Sequence, residues 1–300
     1  KSARVILRQR AGGAQADTIQ KGGMRRMAMT ENTNMMYKAM TIAGSDTSGG
    51  AGMEADLKTF QEMGVYGMTA LTCIVAQNPD NEWAHDIFPL ETPVIERQIR
   101  TILGGIGCDA MKTGMLGSAE LVQLVADTID SYGLKKTVID PVMVCKGVDA
   151  IMVPEAAAAI RELLVQRAYV MTPNLLEASY LSGLPEITSV EGMKEAAAKI
   201  HDMGCRYVII KAGDRFGGDE AVDIVYDGQD FTEKRHKKIA DCYNHGAGCT
   251  FSAGITAGLA RGLSVEEALE RVEAFIQPAL RQSFRLNRWA GAMQHCAWRK

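Results

Sequence analysis

The residues best suited to chemistry are Asn244-His245-Gly246-Ala247-Gly248-Cys249-Thr250, where two glycines open a stretch of small and apolar residues. The first N–H groups of a helix have no acceptor inside it. With the helix dipole they can hold an anion such as a phosphoryl group in transfer. Gly246, Ala247 and Gly248 read as an anion hole, and the positive end of the helix would lower the pKa of the Cys249 thiol. A glycine-rich helix entry beside an ordinary buried cysteine has the same spacing. A second glycine-rich segment, 43–52, would let backbone approach a ligand closely, although a tight turn looks similar. It has no clean GxGxxG, and the chain has no GxxxxGK[ST], so dinucleotide and P-loop readings are disfavoured.

These residues need a scaffold, and from residue 37 onward short apolar runs alternate with amphipathic stretches. The pattern predicts strands over 38–43, 68–76, 110–113, 136–144, 168–172 and 207–211. Helices are predicted over 54–63, 95–103, 118–132, 154–165, 190–203, 248–260 and 264–283. Two runs, 222–226 and 230–233, flank Asp227-Gly228 as a hairpin. Such alternation implies one α/β domain, with a mainly parallel sheet covered by helices on both faces. Ligands then bind beyond the carboxyl ends of the strands, in loops 44–52, 77–86, 113–117, 140–149, 172–177 and 211–219.

Composition agrees: 47% hydrophobic, 23% charged and only 6% aromatic residues suit packed helix-on-sheet layers. Residues 1–35 carry seven Lys or Arg against two acidic residues, leaving 26 basic and 34 acidic residues in the rest. That acidic body gives no electrostatic case for nucleic acid, and no apolar run suggests a membrane span. The leader 1–35 reads as a vector-derived segment, a mis-assigned start or an Arg-rich targeting peptide, with the folded body at 36–300. The cysteines at 73, 108, 145, 205, 242, 249 and 296 form no CxxC pair, which points to thiols in a reducing cytoplasm.

TIAGSDTSGGAGMEADLKTFQEMGVYGM (41–68), MKTGMLG (111–117), VIDPVMVCKG (138–147), TPNLLEA (172–178) and HGAGCTFSAGITAGLA (245–260) occur in one order. In that order the chain resembles the ribokinase superfamily, within it the bacterial pyridoxal kinase and hydroxymethylpyrimidine kinase branch, over about 37–298. The resemblance implies a ribokinase-like α/β fold. It also implies ATP-dependent phosphorylation of a hydroxymethyl group on a pyridine or pyrimidine ring, with magnesium, in an enzyme that is often a homodimer.

Residue by residue, the resemblance implies that Cys249 accepts the hydroxyl proton where many sugar kinases of the superfamily use Asp. It implies that Cys145, in a flap, captures the aldehyde of pyridoxal as a hemithioacetal. Gly44, Asp56, Gln77, Met115 and Val142 would line the ring, and His85 would lie in a loop able to cap it. As an early-helix residue, Asp56 could also simply answer the dipole. Asn174 and Glu177 match the NxxE signature, with Glu177 and Asp140 as magnesium residues acting through water. Lys211 would meet the ATP phosphates, and Gly213 and Asp223 would border the nucleotide. Ala212 stands where relatives commonly have a second glycine, and Asp214 is expected to face water.

Trp83-Ala84-His85-Asp86, the segment 283–287 and the Cys145 flap favour pyridoxal as substrate, with pyridoxine or pyridoxamine as further acceptors. Val75-Ala76-Gln77-Asn78 looks more like a hydroxymethylpyrimidine (phosphate) kinase of thiamine synthesis. A non-catalytic nucleotide-binding or redox-sensing protein with an exposed Cys145 is a third reading, and a nicotinamide enzyme a weaker fourth.

Overall fold

A computed structural model describes residues 36–143, 151–213 and 215–299, so the leader, Cys145 and Asp214 lie outside the described residues. The first half runs β1 (Lys38–Asp46), α1 (Gly52–Glu62), β2 (Tyr66–Asn78), β3 (Ala84–Pro89), α2 (Thr92–Gly105), β4 (Ala110–Thr113), α3 (Ala119–Tyr132) and β5 (Thr137–Ile139). The second half runs α4 (Pro154–Ala159), β6 (Val170–Met171), α5 (Leu175–Ser182), α6 (Val190–Asp202), β7 (Tyr207–Lys211), β8 (Glu220–Tyr226) and β9 (Phe231–Lys237). It closes with α7 (Ala247–Ala260), α8 (Val265–Arg281), β10 (Phe284–Arg285) and β11 (Gly291–Ala292).

Among the described residues, nine strands form one sheet in the order β3-β2-β1-β4-β5-β6-β7-β8-β9. The block from β2 to β7 is parallel, and β3, β8 and β9 are added antiparallel at the two edges. Val138, Ile139, Val170, Met171 and Val208 to Ile210 are buried because helices cover both faces. One core, built on Met40, Ile42, Met111, Ile139 and Met171, takes in α2, α3, α5 and α6. The other, built on Ala39, Ala110, Val138 and Val170, packs against α1, α7 and α8.

Strand direction of growth reverses at β1, which pairs with β2 on one side and β4 on the other. Such a reversal opens a crevice at the carboxyl ends of the two central strands. The helix lining that crevice is α7, whose residues 250–260 are all buried. Gly254 and Gly258 make this possible, because a Cβ there would meet Val272 Cγ2 at 2.5 Å and Ala268 Cβ at 2.4 Å of α8. Lys136 Nζ donates to the Leu259 carbonyl at 2.8 Å, placing a cation at the other end of the α7 dipole.

Three expectations change. Gly44, Ser45 and Asp46 belong to β1 rather than to a loop, because Ser45 and Asp46 pair with Ile74 and Val75 after a register shift. The segment 77–86 is no loop either. β2 runs on to Asn78 and turns into β3, so His85 sits on an exposed edge strand opposite Gln77. Helix α5, absent from the predicted elements, starts at an Asn174–Glu177 capping box and stops at Gly183 in the left-handed region.

Candidate active site

The crevice is held together by one carboxylate. Asp46, at the end of β1, accepts from the amides of Ser48 (2.9 Å) and Ala51 (2.8 Å) and from the Ser48 hydroxyl (3.0 Å). Gln77 Nε2 lies 2.6 Å and His245 Nε2 2.8 Å from the same carboxylate. Burial alone would raise the Asp46 pKa, but the bonds to His245 and Ser48 outweigh it and hold the carboxyl far below the usual range. The hub joins the 43–52 loop, the end of β2 and the residue before the anion hole. Glu54 reinforces it by accepting from Ser45 Oγ at 2.6 Å and the Asp46 amide at 2.8 Å.

Gly246 is the N-cap of α7, with φ 83° in the left-handed region. A Cβ there would stand 1.8 Å from the Gly50 carbonyl oxygen, so only glycine allows the two loops to touch. The Ala247 amide donates to the Asn244 carbonyl at 3.1 Å. The amides of Gly248 and Cys249 follow in the first turn, where no helical carbonyl lies behind them. Of the three residues expected to form an anion hole, Gly248 thus has an amide without a helical acceptor, as does Cys249, whereas the Ala247 amide serves the turn. Gly248 is exposed, and a Cβ there would meet nothing within 4 Å.

The Cys249 thiol lies near the start of α1, where the Gly52 amide favours its charged form. The expected lowered pKa does not hold. Burial raises the thiol to about 11, against the pull of Lys112, and Asp56 and Asp140 push it further up.

Asp56 is likewise corrected. It has no exposed surface, Lys112 Nζ donates to its Oδ1 at 2.8 Å, and Thr41 Oγ1 donates to its Oδ2 at 2.7 Å. A ring in the crevice cannot reach it, so it is neither a ring contact nor a simple response to the helix dipole. The other ring candidates do gather. A Cβ on Gly44 would meet Cys73 Sγ at 2.7 Å and Met115 Cε at 3.3 Å. Met115 and Val142 line a mostly apolar cavity of about 290 Å³ with Cys73, Leu116 and Met143. Gln77 and His85 stand outside that lining, on the β2–β3 hairpin beside it.

On the other side of Cys249 lies a charged cluster. Asp140 accepts from Ser252 Oγ of α7 at 3.0 Å and Thr172 Oγ1 at 3.4 Å, and Lys211 Nζ is 3.8 Å away. Glu177 takes the amides of Asn174 (3.0 Å) and Met143 (3.3 Å) on its two oxygens. Burial, and then the neighbouring Asp140 charge, raise its pKa to about 7. Two adjoining buried carboxylates suit a hard, water-retaining cation, because a positive charge would relieve that repulsion. Asp140 and Glu177 are the residues that would hold magnesium here, where it would neutralise phosphate charge. Among the described residues, no group of three or more His, Cys, Asp or Glu is placed to cage a metal by itself.

Lys211 also lies 5.4 Å from the Phe251 ring centroid and pairs in register with Asp223 across β7 and β8. Burial raises Asp223 to about 6. Gly213 is exposed with φ 57°, whereas the Ala212 amide is committed to the Val222 carbonyl at 3.1 Å. The alanine at 212 therefore leaves no free amide at that position. Sequence reasoning did not single out Asp46, His245 or Lys112, although all three stand inside the quoted motifs. A lysine in the buried four-residue strand 110–113 was the available signal.

The phosphomethylpyrimidine kinase family model matches residues 46–294. The pyridoxine kinase of Bacillus subtilis is 53% identical over 264 residues, 88% of this chain and 97% of that protein. The hydroxymethylpyrimidine/phosphomethylpyrimidine kinase of the same organism is 39% identical over 265 residues, 88% and 97% of the two chains. The pyridoxal kinase of Staphylococcus aureus, solved in complex with AMP-PCP and pyridoxal, superposes with a TM-score of 0.83 at 45% identity, covering 89% and 96%. With the family model matched over 46–294 and a relative 53% identical over most of both chains, the chain belongs to the phosphomethylpyrimidine kinase family of ribokinase-like α/β proteins.

Proposed function

We propose that this chain is an ATP-dependent pyridoxal kinase that phosphorylates the 5'-hydroxymethyl group of pyridoxal, with pyridoxine or pyridoxamine as further acceptors. The observation that carries the reading is the meeting of two loops at the start of α7. The Gly248 and Cys249 amides have no helical acceptor and Gly248 is exposed, while Gly246 touches Gly50 of the ring-side loop. A hydroxyl in the crevice and a terminal phosphate on the α7 amides would then be neighbours.

In the transfer, the acceptor O–H bond breaks and its proton passes to the Cys249 sulfur. The oxygen bonds the γ-phosphorus, and the bridging P–O pair leaves with ADP. Cys249 must be a thiolate to take that proton, so its raised pKa in the free protein has to fall when the site is filled. Lys211 would hold phosphate oxygens, with Asn174, Gly213 and Asp223 bordering the nucleotide. Magnesium, held through Asp140 and Glu177 by way of water, would neutralise phosphate charge. Met115, Val142 and Gly44 would hold the ring, Gln77 would offer its side-chain carbonyl, and His85 would approach from the hairpin. Capture of the aldehyde by Cys145 completes the reading: its S–H adds across the carbonyl, with the proton ending on the hydroxyl oxygen.

The decisive measurement is turnover on pyridoxal, pyridoxine and hydroxymethylpyrimidine at equal magnesium-ATP. The reading expects pyridoxal to lead, and a tenfold preference for the pyrimidine, about 1.4 kcal/mol in transition-state binding, would reverse it. The family match and the 39% identical relative keep the pyrimidine as the second reading. Cys145→Ala should harm pyridoxal far more than pyridoxine, and equal losses on both would rule out covalent capture.

We further propose a homodimer. Ile74 on β2 and Phe88, directly opposite it on edge strand β3, are exposed at 41% and 56%, an apolar pair suited to a second copy. Sedimentation at micromolar concentration tests this, and a monomer would refute it. No described helix is long and apolar enough to cross a membrane. We place the enzyme in the reducing cytoplasm, where its thiols persist.

A further inference from the structure

The buried Asp46 carboxylate accepts five hydrogen bonds. The Ser48 amide and Gln77 Nε2 fall on Oδ1, and the Ser48 hydroxyl, the Ala51 amide and His245 Nε2 on Oδ2. A carboxylate has about four lone-pair sites, so this one has no capacity left for a substrate, a metal or a transferred proton. What Asp46 does, it does through the side chains it holds. An ionised carboxylate only accepts, so the end of the Gln77 amide that faces it is the NH2 group. The opposite amide orientation would set two acceptor oxygens against each other at 2.6 Å. Strand register brings the two residues together. Asp46 pairs with Val75 at the end of β1, and Gln77 lies two residues further along β2 on the same face. Gln77 is half-buried, and no described residue donates to its Oε1. The free end of that amide is thus an acceptor, fixed by a neighbour that has no bond to spare.

We propose that Asp46 is a positioning residue that sets the ring preference of the site: by holding the Gln77 amide, it makes the crevice demand a hydrogen-bond donor on the edge of the substrate ring. This rests on the reading of Gln77 as a ring contact. Both acceptor classes carry such a donor. A 3-hydroxypyridine has one mobile proton, which stands on the hydroxyl or on the ring nitrogen, and an aminopyrimidine has its exocyclic amine. A ring that offers only lone pairs would leave Gln77 Oε1 facing another acceptor. A site built around a hydrogen bond rejects such an analogue more strongly than an apolar pocket rejects a missing methylene, because its own polar group is left unpaired. The His245 bond ties the same carboxylate to the residue before the α7 N-cap, so the template is anchored from the phosphate side as well.

The test compares the better acceptor of the substrate panel with its donor-free counterpart, in full-length protein. The pairs are pyridoxine against 3-deoxypyridoxine and hydroxymethylpyrimidine against its des-amino form, at mildly alkaline pH, where a plain pyridine nitrogen carries no proton. Either pair serves, so a reversal of the pyridoxal reading leaves this test intact. Wild type should lose about tenfold or more in kcat/KM when the donor is removed. In Asp46→Asn the amide introduced there can donate to Gln77 Oε1 and turn the glutamine round. The loss should then shrink to within about twofold, with KM for ATP little changed. A wild type indifferent to the donor, or an Asp46→Asn enzyme that still discriminates tenfold, would overturn the proposal and leave the ring contact standing. Gln77→Met with an unaltered KM for the vitamin would remove the contact and the proposal together. If Asp46→Asn does not fold, nitrogen-15 spectra of the wild type report on the same bond. One proton of the Gln77 side-chain amide should be protected from exchange with water, and a freely exchanging pair overturns the proposal equally.

Discussion

Cys249 stands in the first turn of α7, where its amide has no helical acceptor, and burial raises its thiol to about 11. Replacing it with alanine should reduce kcat by about 10²–10⁴-fold with KM for both substrates nearly unchanged, as measured by steady-state kinetics. Gly246 makes a steric demand instead. Gly246→Ala would drive a Cβ to within 1.8 Å of the Gly50 carbonyl at a φ that alanine avoids, so backbone must move. We expect a loss of about 1–3 kcal/mol in chemical denaturation together with near-complete loss of activity. Lys112 shows the limit of reading residues one at a time. Its partner Asp56 lies 56 positions away, and nothing in a four-residue strand signals where that charge is answered.

Among the elements, the β2–β3 hairpin carries Gln77 and His85 and ends in a strained turn. Glu82 and Trp83 have φ of 48° and 67°, and the Trp83 ring stacks on Trp289 with centroids 5.8 Å apart. Stacking of this type contributes about 0.5–1.5 kcal/mol, comparable to the cost of such backbone. Trp289→Ala should therefore loosen the hairpin. The expected result is a raised KM for the vitamin, an unaltered KM for ATP and faster amide exchange over 78–85. Strands β4 to β7 are legible in the sequence because they are short, largely apolar runs buried on both faces. β3 is not, since all six of its residues are exposed and no alternation marks it. The end of β1 was hidden for another reason. Gly44-Ser45-Asp46 has turn chemistry, yet pairing with β2 overrides local preference. In α5 the Asn174–Glu177 pair that reads as a ligand motif is also a helix cap, and the two roles cannot be separated from spacing.

For the whole molecule, the C-terminal segment ties the layers around α7. His295 Nε2 lies 3.0 Å from Thr250 Oγ1, Trp298 Nε1 donates to Glu62 at 3.0 Å, and the Trp298 ring meets Phe275 edge-on. Burial lowers the His295 pKa to about 4, with the Lys58 charge adding to it. The unfolded chain takes up that proton near pH 6.5 and the folded chain only near 4. Stability is thus fully present above pH 6.5 and is lost as pH falls through that window, by on the order of 2–3 kcal/mol. His295→Gln should flatten this part of the stability profile, and equal slopes for variant and wild type in urea titrations at pH 7 and pH 4.5 would refute it.

The seam where Gly50 touches Gly246 has a mechanical corollary. Two hands that grip different partners are here clasped at the wrist, since neither loop has a side chain to yield between them. A swing of one must tug the other, so crowding on the vitamin side should be felt by the nucleotide, and occupancy of either partner should pre-shape the berth of its mate.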